Sequence, residues 1–175
     1  MKVLALGAEH AAQYRELMLH GYQHAPDAFT STPEERAAMP LAWWVERAAD
    51  PAGNSVAFGA FADDQLIGSV AIELSPRLKT RHKAHLIGMY VLDSWRGKGV
   101  GRQLIDRALE HVKADSAISL ITLTVTEGNA EAIALYTRAG FQVFGIEPMA
   151  MLTPSGYKGK VHMWREVACD TAMRE

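Results

Sequence analysis

The chain has 175 residues, 49% of them hydrophobic and 22% charged, with a formal net charge of −2 at pH 7 and one cysteine. That balance suits a single domain with a real core and argues against nucleic acid or an anionic membrane as the main partner. A lone cysteine makes no internal disulfide and no apolar run reaches the roughly 20 residues of a membrane span, so the expected compartment is the cytoplasm.

Lys2 to Leu6 reads as a strand. Ala8 to His20, with Ala11, Tyr14, Leu17 and Met18 on one side, reads as a helix stopped near Gly21. Thr32, followed by Pro33 and Glu35, is a capping box with proline at the first helical position, so a second helix is expected through Trp43 and Trp44 to about Ala49. Ser55 to Ala62 and Gln65 to Leu74 read as a hairpin around Asp63-Asp64, and Lys83 to Leu92 as a further strand. The stretch RGKGVGRQLIDRAL, Arg96 to Leu109, comes next: glycines at 97, 99 and 101, then Leu104, Ile105, Ala108, Leu109 and Val112 at helical spacing. Glycines cost chain entropy, so such a cluster signals positive φ or a main chain that something approaches closely. At a helix start the unpaired amides and the positive end of the macrodipole make an anion site, to which Arg96, Lys98 and Arg102 add charge. A phosphate is the expected anion, with a glycine-rich turn bearing surface charge as the plain structural alternative. A Walker loop fails because Gly101 is followed by Arg102 and Gln103, and a dinucleotide fingerprint fails because its third glycine would stand at Arg102.

Ile118 to Val125 is an apolar, β-branched run expected to form a central strand buried on both faces. Asn129 is a good N-cap, Ala132, Ile133, Leu135 and Tyr136 carry the apolar side of the next helix, and Gly140 supplies its left-handed stop. Phe141 to Met149 and Lys160 to Val167 are the last strands, around a Pro154-Ser155-Gly156 turn. The order is a mixed α/β sheet in one domain over residues 1–168, with a tail at 169–175 whose Cys169 is not expected to react. His82 and His85 fall on opposite strand faces by parity, and no metal is expected.

That order, with YVLDSWRGKGVG at its middle and GNAEAIALYTRAGF after it, resembles the GCN5-related N-acetyltransferase (GNAT) superfamily over nearly the whole chain. The signature [Gln/Arg]-x-x-Gly-x-[Gly/Ala] is met by Arg96, Gly99 and Gly101; the second motif is met by Asn129, Leu135, Tyr136, Gly140 and Phe141. The resemblance implies a mostly antiparallel sheet of about seven strands with helices on both faces. It implies acetyl-CoA as co-substrate, its pyrophosphate held behind Arg96 by the amides of Gly97, Lys98, Gly99, Val100, Gly101 and Arg102. The strand ending in Met89, Tyr90 and Val91 would splay from Ile121 to Val125, and its backbone would bind the pantetheine arm like an added strand. Core packing is the alternative role for those three side chains. Tyr136 is implied as the general acid near the sulfur, against a packing role on its helix, and Asn129 as a pantetheine contact beside its work as a cap.

Direct acetyl transfer to an amine needs an unprotonated nucleophile, a stabilised oxyanion and a thiolate that regains a proton. His85 falls where some histone-acetylating members carry a glutamate base; Glu73, Glu127 and an ordered water relay stay open as alternatives. Ribosomal-protein N-terminal acetyltransferases carry a glutamate where this chain has Thr124, which weighs against a protein N-terminus as acceptor. Tyr22, His24, Asp27, Phe29, Trp43, Trp44, Tyr157 and His162 lie in the segments that set acceptor choice, and aromatics with a carboxylate suit a cationic amine. The expectation is therefore an acetyl-CoA-dependent N-acetyltransferase acting on a primary amine of a small molecule, with no nucleic-acid or membrane partner and a homodimer left open. A protein or peptide acetyltransferase, marked by an open groove in place of a closed pocket, is the alternative enzyme. A non-catalytic acyl-CoA-binding module is the alternative outside enzymes.

Overall fold

The computed structural model describes residues 1–167, so Cys169 and the expected tail lie outside the described residues. Seven strands form one sheet: Lys2–Ala5 (β1), Ser55–Ala62 (β2), Gln65–Leu74 (β3), Lys83–Val91 (β4), Leu120–Thr126 (β5), Gln142–Thr153 (β6) and Gly156–Glu166 (β7). Their spatial order is β1-β2-β3-β4-β5-β7-β6, antiparallel at every neighbour except the parallel pair β4 and β5. The β2–β3 hairpin turns where the sequence reading put it, with Asp63 in the left-handed region at φ 52° that aspartate tolerates in tight turns.

Five helices cover the sheet: Ala11–His24 (α1), Pro33–Ala37 (α2), Leu41–Ala48 (α3), Val100–Ala114 (α4) and Ala130–Arg138 (α5). Leu104, Ile105 and Leu109 of α4 and Tyr136 of α5 pack with Phe58, Ile72, Ile121 and Leu123 on one face. Tyr14 and Met18 of α1 and Trp44 of α3 pack with Ala71 and Tyr90 on the other. A fully buried Leu, Ile or Phe contributes about 1.5–3 kcal/mol, so each amphipathic helix is held mainly by its buried stripe.

Four expectations change. Helix α1 does not stop at Gly21; a Cβ there would lie 2.9 Å from Tyr90 Cγ, so this glycine lets the helix rest on the tyrosine ring and the helix ends at His24. The expected second helix is two, because Pro40 cannot continue α2 and biases Met39 away from helical geometry; Pro40 itself is extended at φ −66° and ψ 158° and starts α3. Strand β5 is buried on one face only: Ile121, Leu123 and Val125 enter the core under α4, while Thr122 and Thr124 are half-buried on the opposite face. Strand β6 runs on to Thr153 and is the sheet edge, with Val143, Phe144, Ile146, Met149 and Leu152 exposed along it.

Candidate active site

The glycines at the start of α4 have separate physical roles. Gly97 and Gly99 have φ of 71° and 79°, and a Cβ built on either meets no atom within 4 Å, so the main chain is laid open. Gly99 is the left-handed N-cap of α4 and no side chain caps the helix there, which leaves its first amides available to an anion. Gly101 differs: its Cβ would come 3.2 Å from Leu135 Cδ2, so its bareness lets α4 approach α5.

A cleft of about 460 Å³ runs beside this loop, lined by Met89, Tyr90, Val91, Arg96, Gly97, Gly99, Val100, Gly101, Arg102 and Asn129, with Phe29, Leu135 and Arg138 among its other walls. Lys98 is outside the lining and its ammonium stands 4.9 Å over the Trp95 ring. Part of the loop's charge is compensated, since Arg96 pairs with Asp93 at 3.0 Å and Arg102 with Asp106 at 2.9 Å. Asn129 caps α5 by accepting from the Ala132 amide at 3.2 Å. Open main chain, a free helix start and a flanking arginine fit a pyrophosphate, so the cleft suits the donor half of coenzyme A.

The other wall comes from strand divergence. Strands β4 and β5 pair only at Lys83 with Leu120, Ala84 with Ile121 and His85 with Thr122, then separate. Next to that point β4 bulges at Gly88, φ 60°, where the β3 register shifts between Ser69 and Ala71. Beyond the last pair, the β4 edge facing β5 is left without ladder partners, and this edge carries Met89 to Val91 into the cleft.

His85 sits at the last paired position, on the face away from α4. Its Nδ1 is 2.9 Å from the Thr122 hydroxyl, which gives its own proton to the Ala84 carbonyl at 3.5 Å; the network therefore assigns the histidine proton to Nδ1 and a lone pair to Nε2. Burial lowers the His85 pKa from 6.5; Glu73 opposes that shift, while Lys160 and His162 reinforce it. Glu73 is directly across from His85 on β3, whereas Glu127 folds against Gly159, where a Cβ would be 2.6 Å from its carboxylate. Tyr136 is 6% exposed, packs edge-on to Phe141 at 5.8 Å, and is not among the cleft-lining residues. Burial raises the pKa of its phenol.

The segment after α1 bridges the diverging strands. Asp27 pairs with Lys158 at 3.1 Å and accepts the Thr126 hydroxyl at its carbonyl, and Thr30 bonds Lys160. Ala25, Ala28 and Phe29 of the same segment line the cleft beside the glycine loop. Among the other acceptor candidates, Tyr22 and Trp44 are buried packing residues, His24 stacks on His20 at 3.9 Å, Trp43 packs edge-on to Trp44, and His162 bonds Glu147 at 3.2 Å. Tyr157 is 61% exposed in the β6–β7 turn region.

Two polar residues here escaped the sequence reading. Arg47 of α3 has a side chain 14% exposed, gives Nη1 to Glu73 at 3.3 Å, and keeps a buried Nε with no hydrogen-bond partner. Tyr14 of α1 is fully buried and its hydroxyl also lacks a partner. Only the packing of α1 and α3 over the Gly88 bulge brings them together; in the sequence both are ordinary residues of amphipathic helices.

An α/β sheet whose parallel pair splays beside a glycine-opened helix start defines an acyl-CoA-binding transferase scaffold. The pattern of the acetyltransferase (GNAT) family matches residues 15–141, and the chain belongs to that family and is an acetyltransferase. It is 30% identical over 122 residues to the L-amino acid N-acetyltransferase AaaT of Escherichia coli, covering 70% of this chain and 74% of that protein. It is 27% identical over 90 residues to the spermine/spermidine N(1)-acetyltransferase of Bacillus subtilis, covering 50% of this chain and 59% of the relative. The fold matches the Salmonella typhimurium acetyltransferase yncA, solved with its cofactor acetyl-CoA, at a TM-score of 0.79 and 18% identity over 99% of this chain and 98% of that one.

Proposed function

We propose that the protein is a cytoplasmic enzyme that moves an acetyl group from acetyl-CoA directly to a primary amine of a small molecule. The observation that carries this reading is one cleft lined both by the open glycine loop and by Met89 to Val91, where β4 has no ladder partner on its β5 side. Bound acetyl-CoA supplies the acyl group as a thioester; everything else falls to the chain. The amides of Gly97 to Arg102 hold the phosphates, and the free β4 edge aligns the pantetheine arm as an added strand. His85, neutral near pH 7 because burial lowers its pKa, takes the amine proton at Nε2. The family resemblance gives the return of a proton to the departing thiolate to Tyr136, whose buried phenol stays protonated; because Tyr136 lies outside the cleft lining, the Tyr136→Phe variant decides that role.

The matches to amino-acid and polyamine acetyltransferases support a free small amine over a protein tail. The exposed apolar edge of β6 supports a homodimer, which sedimentation of the intact chain reads directly. The deciding experiment incubates the protein with acetyl-CoA and a panel of amines, amino acids and peptides and measures released thiol. Turnover of free amines is expected; turnover confined to peptides refutes the small-molecule reading, and acetyl-CoA binding without any turnover favours the non-catalytic module.

A further inference from the structure

On the face of the sheet opposite the glycine loop, Tyr14 of α1 and Arg47 of α3 meet over the β4 bulge. Gly88 has no side chain, and the nearest atoms to a Cβ built there are the Tyr14 hydroxyl at 3.7 Å, Arg47 Nη2 at 3.8 Å and the Met18 terminal methyl at 3.8 Å. Both polar groups carry unmet hydrogen-bonding capacity. The buried Tyr14 hydroxyl has the Arg47 guanidinium beside it and no closer partner, and Arg47 Nε is buried without one, although a guanidinium offers five N–H donors and Glu73 engages Nη1. An unpaired buried polar atom costs roughly 1–3 kcal/mol, so a largely buried guanidinium with unmet donors, beside the bulge where β4 and β5 part, points to a ligand that supplies the missing acceptors.

We propose that Arg47 and Tyr14 form the carboxylate-binding end of the acceptor site, so that the acceptor is an amino acid rather than a polyamine. This rests on the acetyl-transfer reading above. A planar carboxylate matches the guanidinium fork and accepts a phenolic proton as well, whereas a second ammonium group has no acceptor to offer either residue. The rest of the face completes the recognition of a zwitterion. Glu73, paired with Arg47 on one side and directly opposite His85 on β3, attracts the substrate ammonium, and His85 then takes its proton. Trp43, whose ring lies 5.2 Å from the Arg47 guanidinium carbon, limits the side-chain rotamers open to the arginine.

The test uses matched acceptors with acetyl-CoA: an α-amino acid, its carboxamide and the amine lacking the carboxyl carbon, for several side chains, with spermidine added. The parent protein is expected to favour the acid over both analogues by about 10- to 150-fold in kcat/KM, the factor that a charge-assisted hydrogen-bond set supplies, and to do so mainly through KM. The amide biases against this outcome because its amine ionises less at neutral pH. Arg47→Gln should erase the preference, Arg47→Lys should keep part of it, and Tyr14→Phe should reduce it, all with KM for acetyl-CoA unmoved. Equal use of acids and their neutral analogues by the parent, a preference for spermidine, or an Arg47→Gln loss shared equally by all acceptors overturns the proposal. The parent series and Tyr14→Phe decide the matter even if Arg47→Gln does not fold. Turnover of amines without carboxylate preference refutes this site alone; no turnover of any amine refutes the acetyl-transfer reading and this site with it.

Discussion

Replacing Gly99 by glutamate separates folding from donor binding. The residue has φ 79° and open space around the added Cβ, so the substitution costs backbone strain and no steric clash. A left-handed non-glycine residue costs about 1–2 kcal/mol, which in a domain of this size lowers Tm by roughly 2–8 °C at about 2–4 °C per kcal/mol. Against that stands ligand stabilisation by mass action. At a hundred times its Kd a ligand adds about 2.7 kcal/mol, which raises Tm by roughly 5–11 °C on the same scale. The parent should show that rise with acetyl-CoA in a thermal melt. Gly99→Glu should melt a few degrees lower and show no rise, since its carboxylate occupies the phosphate position with like charge. Gly53→Glu is the control: φ is 77°, nothing lies within 4 Å, and the residue is outside the cleft, so the strain should appear with the ligand shift intact. A parent Tm unmoved by millimolar acetyl-CoA, or a full shift retained in Gly99→Glu, refutes the reasoning.

The lowered pKa of His85 places the acidic limb of kcat/KM below pH 6.5: the imidazole stays neutral through neutrality and activity falls only as pH drops through the lowered value. His85→Gln should lower the rate and flatten that limb, whereas a limb that tracks the acceptor's own amine pKa and survives the substitution assigns proton removal to water. Tyr136→Phe keeps the ring against Phe141 and removes the proton, so turnover should fall about 100- to 1,000-fold with the Kd for acetyl-CoA unchanged; undiminished turnover returns Tyr136 to a packing role. Gly21→Ala puts a methyl 2.9 Å from the Tyr90 ring and should destabilise by about 1–3 kcal/mol, read as a lower denaturant midpoint.

Much of the donor half was legible because its signals are local. Positive φ, an N-cap and an apolar stripe are each written within a few residues, and Gly97, Gly99, Asn129 and Gly140 behave as their neighbours predict. Misreadings arose where a distant contact decided the outcome. Gly21 looks like a helix stop until Tyr90, far along the chain, lies against it. Strand β5 looks doubly buried until the divergence from β4 leaves Thr122 and Thr124 on a partly open face. Pro40 was the exception, a local signal that does break the helix although the capping box and apolar spacing around it predict one continuous segment. The Arg47–Tyr14 pair had no local signature, because helices far apart in sequence meet only over the Gly88 bulge.

The parting of β4 and β5 separates two kinds of proposed contact, main chain on one side and side chain on the other. Toward α4 the proposed grip on the donor is mainly main chain, made of helix-start amides and the β4 edge that β5 leaves unpaired, and most substitutions leave it unchanged so long as the glycines and the bulge persist. Toward α1 and α3 the proposed acceptor contacts are side chains: Tyr14, Arg47, Glu73 and His85. Exchanging a few of them rewrites the acceptor without disturbing the thioester end. One scaffold can thus diversify through a few side-chain substitutions, while the donor-binding geometry is carried in backbone conformation.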